Sequence, residues 1–434
     1  MGTKLDLNVE IMKPAGNKRY FAVFMVALMV GINYLDRVNF SVATPTIMQE
    51  FGLDAGQMGI LMSAFFWSYT LTMLPIGGIL NKFGPKHAIT GAAAGWGLVT
   101  MLTGLASSFT HFFWVRILLG VTEAPGFPAS ARVVSVWTPI KERTFCSACF
   151  DCCARVGSAF APPLVAWLIL SYGWRASFVI TGAIAVVYAF FWHFTYHEPD
   201  AHPTITKEEL AYIRQDEIVT SEGAVESKPI PMLKLFLYPT VLKISIAYAL
   251  YLYVWTTFNS WMPAYLMQAR GLNLKQMGFA AMVPYIVAVV CELLGGVVFD
   301  KWKAKGATVT QLRRTGMGLA MLGSAVFIWL TMLASTATGA IMYLSLFMGI
   351  FAFGASNVWA IPGDIAPYGQ AGGVGGVYNF VGNFGALFSP MVTGFFIASK
   401  YGYNGGFTVC CILAVIGAVL FMISDYTRLS PKLA

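Results

Sequence analysis

The chain has 434 residues, of which 57% are hydrophobic and only 11% are charged. A soluble domain carries roughly 25% charged residues, so this composition excludes an ordinary soluble protein and favours a chain embedded in a lipid bilayer. The net charge of +8 then indicates cytoplasmic loops rich in Lys and Arg rather than a surface for nucleic acid.

Twelve apolar segments follow one another along the chain, each long enough to cross a bilayer as a helix of roughly 20 residues. The first begins after a polar stretch that ends at Arg19. It is too long for the apolar core of a signal peptide and has no obvious small-residue cleavage site behind it, so we predict a retained helix. The predicted spans are residues 20–43, 57–80, 87–107, 110–135, 145–170, 174–196, 238–266, 276–299, 314–335, 338–362, 372–398 and 403–425.

Lys and Arg are distributed unevenly between the predicted spans. With the N-terminus in the cytoplasm, the inside segments hold nineteen of them and the outside loops hold four. Because positive charge is retained on the cytoplasmic side, both termini are predicted to be cytoplasmic. The predicted organisation is a tail at 1–19, a six-helix bundle at 20–196, a cytoplasmic linker at 197–236, a second six-helix bundle at 237–425 and a tail at 426–434.

Two segments of the first half recur in the second half, both displaced by 219 residues. The run GLDAGQMG at 52–59 corresponds to GLNLKQMG at 271–278, and GGILNK at 77–82 corresponds to GVVFDK at 296–301. A duplicated chain of six plus six helices is typical of two bundles that rock around a site at mid-membrane. The repeat therefore favours alternating access over an open pore.

The second repeated segment resembles the loop motif of the major facilitator superfamily, G-x-L-x-D-R-x-G-R-K. Asn81 stands where that motif has an acid, whereas the second copy keeps Asp300. The resemblance implies an all-α membrane protein with twelve transmembrane helices in two pseudo-symmetric six-helix bundles. It also implies gating loops that act as conformational latches, the first of them weakened by Asn81. The gating-loop residues are Asn81, Lys82, Asp300 and Lys301.

Four further runs resemble the anion:cation symporter family within that superfamily. They are NYLDR at 33–37, GVTEA at 120–124 followed by FP at 127–128, GWR at 173–175 and WMPAYL at 261–266. That family includes proton-coupled importers of sugar acids and aromatic acids. The resemblance therefore implies a secondary active transporter that imports an organic anion with protons, as a multi-pass protein of the bacterial inner membrane.

Eight charged residues are predicted to lie deep in the bilayer, where a charge costs roughly 3 kcal/mol on insertion scales. Such residues persist when they are paired, hydrated or directed into the bundle interior. A rise of about 1.5 Å per residue places Asp36 level with Arg116 and Glu123 level with Arg155. We therefore predict these two ion pairs. The eight residues are Asp36, Arg37, Arg116, Glu123, Arg132, Asp151, Arg155 and Glu292.

Glu123 and Asp36 are the predicted carriers of a coupling proton. A carboxyl at mid-membrane is destabilised as an anion by burial and stabilised by a neighbouring Arg, so it can exchange a proton as its surroundings change. A permanent structural pair of Asp36 with Arg116 is the competing interpretation. Sodium coupling is a further alternative, since carboxylates also serve that ion.

An anionic substrate needs a cation in place of its lost hydration, and the guanidinium fork suits a carboxylate. We predict Arg37, on the same helical face as Tyr34, as the first receptor and Arg155 as the second. Asp151 lies one turn before Arg155, so this pair either alters substrate preference or neutralises itself; both interpretations stay open. The predicted substrate-binding residues are Tyr34, Arg37, Tyr69, Arg116, Arg155, Asn259, Ser356, Asn357, Trp359 and Asn379.

Other functions are disfavoured in different degrees. An uncoupled or sodium-coupled organic-anion transporter or exchanger, with the acids purely structural, is the main alternative. The buried Arg residues argue against an exporter of cationic drugs. No His-rich cluster or nucleophile–base constellation occurs, so no enzyme, metal or cofactor is predicted. The expected partners are a small organic anion, the proton and the lipid bilayer, with no nucleic acid, and the chain is expected to be a monomer.

Overall fold

The computed structural model describes residues 16–223, 232–367 and 371–429, which are almost entirely helical. Parts of the predicted linker and of both tails lie outside these residues. The first half contains α1 (Lys18–Phe51), α2 (Ala55–Thr103), α3 (Phe109–Glu123), α4 (Gly126–Trp137), α5 (Ile140–Tyr172) and α6 (Trp174–Thr195). Two helices follow, α7 (Lys207–Gly223) and α8 (Met232–Leu235). The second half contains α9 (Pro239–Gln268), α10 (Leu274–Ala304), α11 (Val309–Leu333), α12 (Ala337–Ala355), α13 (Ile361–Ile365), α14 (Ala371–Ala398) and α15 (Gly402–Ile423).

Twelve membrane crossings are accounted for once two irregular helices are considered. Ten helices or helix pairs of the described chain are long and apolar enough to cross a bilayer. Helix α2 has 49 residues, so it would be about 74 Å long if straight, and the backbone at Gly84 (φ 70°, ψ 167°) divides it into two crossings. Helices α3 and α4 together form one crossing, interrupted where Pro125 and Pro128 supply no backbone N–H.

The duplicated segments fold in the same way in both halves. Asp54 and Asn273 lie 219 residues apart and each begins a helix. The side chain of each accepts a hydrogen bond from the backbone N–H three residues later, at 2.7 and 2.9 Å respectively. The side-chain oxygen of the Gln at that third position accepts a hydrogen bond from the backbone N–H of the cap residue, which completes a capping box. The sequence repeat is therefore a repeat of local structure as well.

The two halves contact each other mainly along two seams, α2 against α14 and α5 against α10, with a smaller contact of α1 against α9. The closest approaches lie at the ends of these helices that the charge distribution assigns to the outside. A Cβ atom on Gly59 would lie 2.6 Å from the carbonyl oxygen of Pro390, and one on Gly278 would lie 2.9 Å from the Cβ of Ala166. Gly59 and Gly278 occupy the same place in the repeat, so the duplication supplies one close backbone contact to each seam.

Replacing Gly59 by Val is expected to prevent closure of the two halves at this end. The added side chain would meet the Pro390 carbonyl oxygen at 2.6 Å and the Met391 Cα at 3.0 Å, and backbone atoms cannot move aside cheaply. In a cysteine-free background, a single Cys at position 63 should react several-fold faster with an impermeant maleimide in the Val variant. Gly91→Val, on the same helix with open space around it, is the matched control. Equal protection of position 63 in both variants would contradict this account.

Helix α7, in the predicted linker, packs on the first half through a buried polar cluster. The Arg19 guanidinium Nε donates to Glu142 at 2.9 Å, and the Arg19 backbone N–H donates to Glu209 of α7 at 3.2 Å. The Tyr212 hydroxyl donates to the other oxygen of Glu142 at 2.6 Å. This cluster therefore joins α7 to the beginnings of α1 and α5.

Replacing Arg19 by Gln is expected to lower the melting temperature of the purified protein markedly. Removing one partner of a buried ion pair typically costs about 3–5 kcal/mol, because the remaining charge stays buried without compensation. Here Glu209 is buried and Glu142 largely so. Lys18→Gln, at the exposed neighbouring position, should change the melting temperature little. Similar shifts in both variants would show that the cluster contributes nothing specific.

Candidate functional site

A cavity of about 160 Å³ lies between the two halves. Its walls come mainly from α1, α2 and α3 of the first half and from α9 and α14 of the second. The lining positions of α9 include Tyr248, Leu252, Trp255 and Asn259, whose spacing of three or four residues places them on one helical face. Both bundles therefore direct one face of each inner helix into a shared central site, as expected for a two-bundle carrier.

Most of the residues predicted to contact a substrate line this cavity. The lining members are Tyr34, Arg37, Tyr69, Arg116, Asn259, Trp359 and Asn379. Arg155 lies beside the cavity, with its guanidinium carbon 5.2 Å from the ring centre of Trp255. Ser356 and Asn357 do not line it, because the chain leaves α12 in a turn that directs Trp359 inward instead. Asn357 is buried and accepts a hydrogen bond from Arg313.

Arg37 forms an ion pair with Glu123. Its Nε donates to a carboxylate oxygen of Glu123 at 2.8 Å, and its guanidinium carbon lies 5.0 Å from the ring centres of both Phe65 and Tyr69. Nη2 of Arg37 and the second oxygen of Glu123 are buried without a hydrogen-bond partner among the described residues. The predicted pair of Glu123 with Arg155 is wrong, because equal depth in the membrane did not make the two side chains lateral neighbours.

Arg116 is buried with no carboxylate partner within the described chain. It is 6% exposed, lines the cavity and packs its guanidinium 4.3 Å from the ring centre of Phe40 and 4.9 Å from that of Phe65. Its one hydrogen bond to a described residue is a 3.3 Å contact from Nε to the carbonyl oxygen of Leu61. The rest of its donor fork is therefore available to an anion in the cavity.

Asp36 faces away from the cavity, so the predicted pair of Asp36 with Arg116 is also wrong. Successive helix residues point about 100° apart, and Asp36 is directed into the interior of the first bundle while Arg37 faces the cavity. The Asp36 side chain lies beside Trp96 and Thr181. It is 2% exposed, and neither oxygen has a hydrogen bond of good geometry to another described residue.

Arg155 instead pairs with Glu292, across the boundary between the two halves. Nη2 of Arg155 donates to one oxygen of Glu292 at 3.0 Å, and Nε lies against the other oxygen. Asp151, one turn earlier on α5, lies beside Trp359 of the second half. This cluster therefore joins α5 of the first half to α10 and the turn after α12 in the second half.

Residues 26–312, well over half of the chain, match the profile of the Major Facilitator Superfamily. The chain belongs to the Major Facilitator Superfamily. It is 33% identical to a protein of Bacillus subtilis named probable galactarate/D-glucarate transporter GudP, over 96% of this chain and 95% of that one. It is 31% identical to a D-galactonate transporter of Escherichia coli, over 98% of this chain and 100% of that one.

A solved structure of a bacterial homologue of the human lysosomal transporter Spinster, in an inward-facing and unoccupied conformation, has the same fold. The TM-score is 0.75 at 19% sequence identity, and the match covers 96% of this chain and 100% of the other. The predicted all-α fold of the Major Facilitator Superfamily is confirmed. The protein is a multi-pass membrane transporter and not an enzyme.

The predicted gating-loop residues of this superfamily member are all exposed and lie far from the cavity. Asn81 and Lys82 belong to the middle of α2, just before the break at Gly84. Asp300 and Lys301 belong to the last part of α10. None of the four makes an ion pair with another residue of the described ranges. Their role as latches stays a prediction.

Several cavity residues of this superfamily member were missed from sequence. Tyr248, Trp255 and Phe65 line the site but were not assigned to it. The signal was present in α9, where positions 248, 252 and 255 precede Asn259 at helical spacing and so share its face. In a membrane helix, aromatic side chains also face lipid, so aromatic residues at this spacing did not distinguish a cavity face from a lipid face.

Proposed function

We propose that the protein imports an organic anion, a sugar acid, together with protons by alternating access. The observation that carries this proposal is Arg116, a buried guanidinium that lines the cavity without a carboxylate partner among the described residues. A buried cation of this kind is costly to leave unpaired. A substrate carboxylate would supply the missing charge and bind the guanidinium as a fork.

Arg116 replaces Arg37 as the primary receptor in this proposal. Arg37 already has a carboxylate, Glu123, at 2.8 Å, so a substrate would have to compete for it. That competition couples substrate binding to the proton, because protonation of Glu123 releases Arg37 for the substrate. The printed names of relatives that cover nearly the whole chain, which include galactarate/D-glucarate and D-galactonate transporters, support a sugar acid as the cargo.

The balance of charges around the cavity supports proton coupling. Three guanidinium groups and three carboxylates lie in or beside the cavity, and a fourth carboxylate, Asp36, is buried behind it in the first bundle. If every carboxylate stayed ionised, an incoming anion would enter a region that is already negative, which is unfavourable at low dielectric. Protonation of one or more carboxylates restores the balance. The groups are Arg37, Arg116, Arg155, Asp36, Glu123, Asp151 and Glu292.

Asp36 and Glu123 are the proposed proton carriers, in different states in this conformation. Glu123 is paired with Arg37 at 2.8 Å. Asp36 is protonated, because a fully buried carboxylate without a cationic partner would carry a large desolvation cost. The conformation is closed at the end where Gly59 and Gly278 make contact. In the proposed orientation this end is outside, both termini are cytoplasmic, and the protein is a monomer in a bacterial inner membrane.

Thermal-shift screening of the purified protein tests the substrate class directly. Galactarate and galactonate are expected to raise the melting temperature, because they bind the folded state and not the unfolded chain. Neutral galactose and the cation tetraphenylphosphonium should leave it unchanged. Stabilisation by the cation alone would contradict the proposal and favour an exporter of cationic compounds.

A further inference from the structure

The ion pair of Arg155 with Glu292 occurs on one seam between the halves and not on the other. A shift of 219 residues relates Glu292 to Met73. On the α2–α14 seam, the Met73 sulfur lies 3.8 Å from the side-chain nitrogen of Asn383. No ion pair joins α2 to α14 among the described residues. The α2–α14 seam therefore packs at the equivalent position without an ion pair. Packing of the duplicated fold alone does not explain the pair of Arg155 with Glu292.

The pair also borders the proposed substrate cavity. The Trp255 ring, a wall of the cavity, stacks on the Arg155 guanidinium at 5.2 Å. Both side chains of the pair retain some exposure, 11% for Arg155 and 17% for Glu292. A carboxylate displaced from Arg155 at this site would therefore gain hydration, which limits the cost of the exchange.

Arg116 and Arg155 lie at different depths of the cavity. Arg116 packs on Phe40. The next residue, Ser41, donates a hydrogen bond from its hydroxyl to the carbonyl oxygen of Asn259 at 2.7 Å. Arg155 packs on Trp255, four residues before Asn259 on α9. Four residues of helix correspond to about 6 Å along its axis. The two guanidinium groups are therefore offset along the axis of α9, as receptors for the two ends of an extended six-carbon diacid must be.

We propose that Arg155 receives a second carboxylate, so that the protein selects dicarboxylic sugar acids over monocarboxylic ones. This inference rests on the proposed function, in which Arg116 holds the first carboxylate. Glu292 pairs with Arg155 before substrate binds and competes with the second carboxylate of the substrate for it. Binding of a diacid exchanges the bond of Arg155 to Glu292 for a bond to the substrate, which loosens a link between the two halves while the cargo is in place.

The affinities of the purified, full-length protein for galactarate and galactonate, measured by isothermal titration calorimetry, test this assignment. The wild type is expected to bind the diacid galactarate about tenfold or more tightly, as one additional charge-assisted contact allows. In Arg155→Gln the ratio of the two affinities should fall close to one, and Arg155→Lys should restore part of it. In Glu292→Gln the ratio should rise, because the competing carboxylate has been removed.

Arg175→Gln is the matched control, since Arg175 is also ion-paired, to Glu50 at 2.7 Å, but lies away from the cavity. It should leave the ratio unchanged. Retention of the wild-type ratio in Arg155→Gln, or equal weakening of both acids by Glu292→Gln, would show a structural ion pair and overturn the inference. Folding of each variant is checked by its melting temperature and elution profile. Failure of the wild type to bind either acid would instead contradict the proposed function.

Discussion

Replacing Arg116 by Gln is expected to weaken binding of galactarate by about 100-fold. Two charge-assisted hydrogen bonds of roughly 1.5 kcal/mol each are lost, and each 1.4 kcal/mol is a factor of ten. Gln cannot reproduce the paired donors of the guanidinium. The dissociation constant measured by titration calorimetry checks this expectation.

The Arg116 variant should remain folded, because no ion pair to a described residue is lost with it. Its removal takes away a buried charge whose partner is the substrate, so the melting temperature without substrate should rise or stay constant. Arg175→Gln serves as the control for loss of one positive charge. Unchanged affinity for both galactarate and galactonate in Arg116→Gln would exclude Arg116 as the receptor and return Arg37 to that position.

Replacing Glu123 by Gln is expected to abolish uphill uptake driven by a proton gradient and to preserve exchange of substrate across the membrane. The amide cannot take up or release the coupling proton, so a proton gradient can no longer drive net uptake. Exchange survives because it needs only the loaded carrier to change conformation. Gln keeps a polar contact to Arg37, which lies 2.8 Å from the carboxylate in the wild type. Uptake and counterflow of labelled galactarate in proteoliposomes measure the two activities separately.

Glu50→Gln is the control for this experiment, because Glu50 is also paired with an Arg but lies at the end of α1, outside the cavity. It should leave both uphill uptake and exchange intact. Full uphill accumulation in Glu123→Gln would remove Glu123 from the coupling mechanism. Loss of both activities would point to a role in substrate binding and not in proton transfer.

The positions of the spans could be predicted because lipid requires each crossing to be a long, apolar segment whose backbone bonds are satisfied internally. The break in α2 was predicted as well, since spans 57–80 and 87–107 were separated at the loop that contains Gly84. The continuous Pro-containing crossing at 110–135 was predicted as one span and consists of two shorter helices, α3 and α4.

The partners of the buried charges could not be predicted from depth. The rise along a helix gives one coordinate, the depth in the membrane, and depth alone suggested the pair of Asp36 with Arg116. The direction of each side chain around its helix, and the order in which helices surround one another, decide the lateral contacts. Asp36 and Arg37 are adjacent in sequence, yet one enters the first bundle and the other the cavity.

Side-chain contacts between the two halves were the hardest feature to predict from the sequence. Glu292 was recognised as a buried charge, but its pairing with Arg155 depends on how the second bundle sits against the first. That arrangement changes in a carrier that rocks between two states. A sequence pattern that serves both states cannot specify which cross-bundle pair forms in one of them.

The most direct test of proton-coupled anion transport is the external pH of lightly buffered proteoliposomes when galactarate is added without an imposed gradient. The account predicts that the external medium becomes more alkaline in step with entry of labelled galactarate, and that Glu123→Gln shows no such change. Entry of galactarate at constant external pH would contradict the account, and would favour an uncoupled or sodium-coupled carrier in which the buried acids are structural.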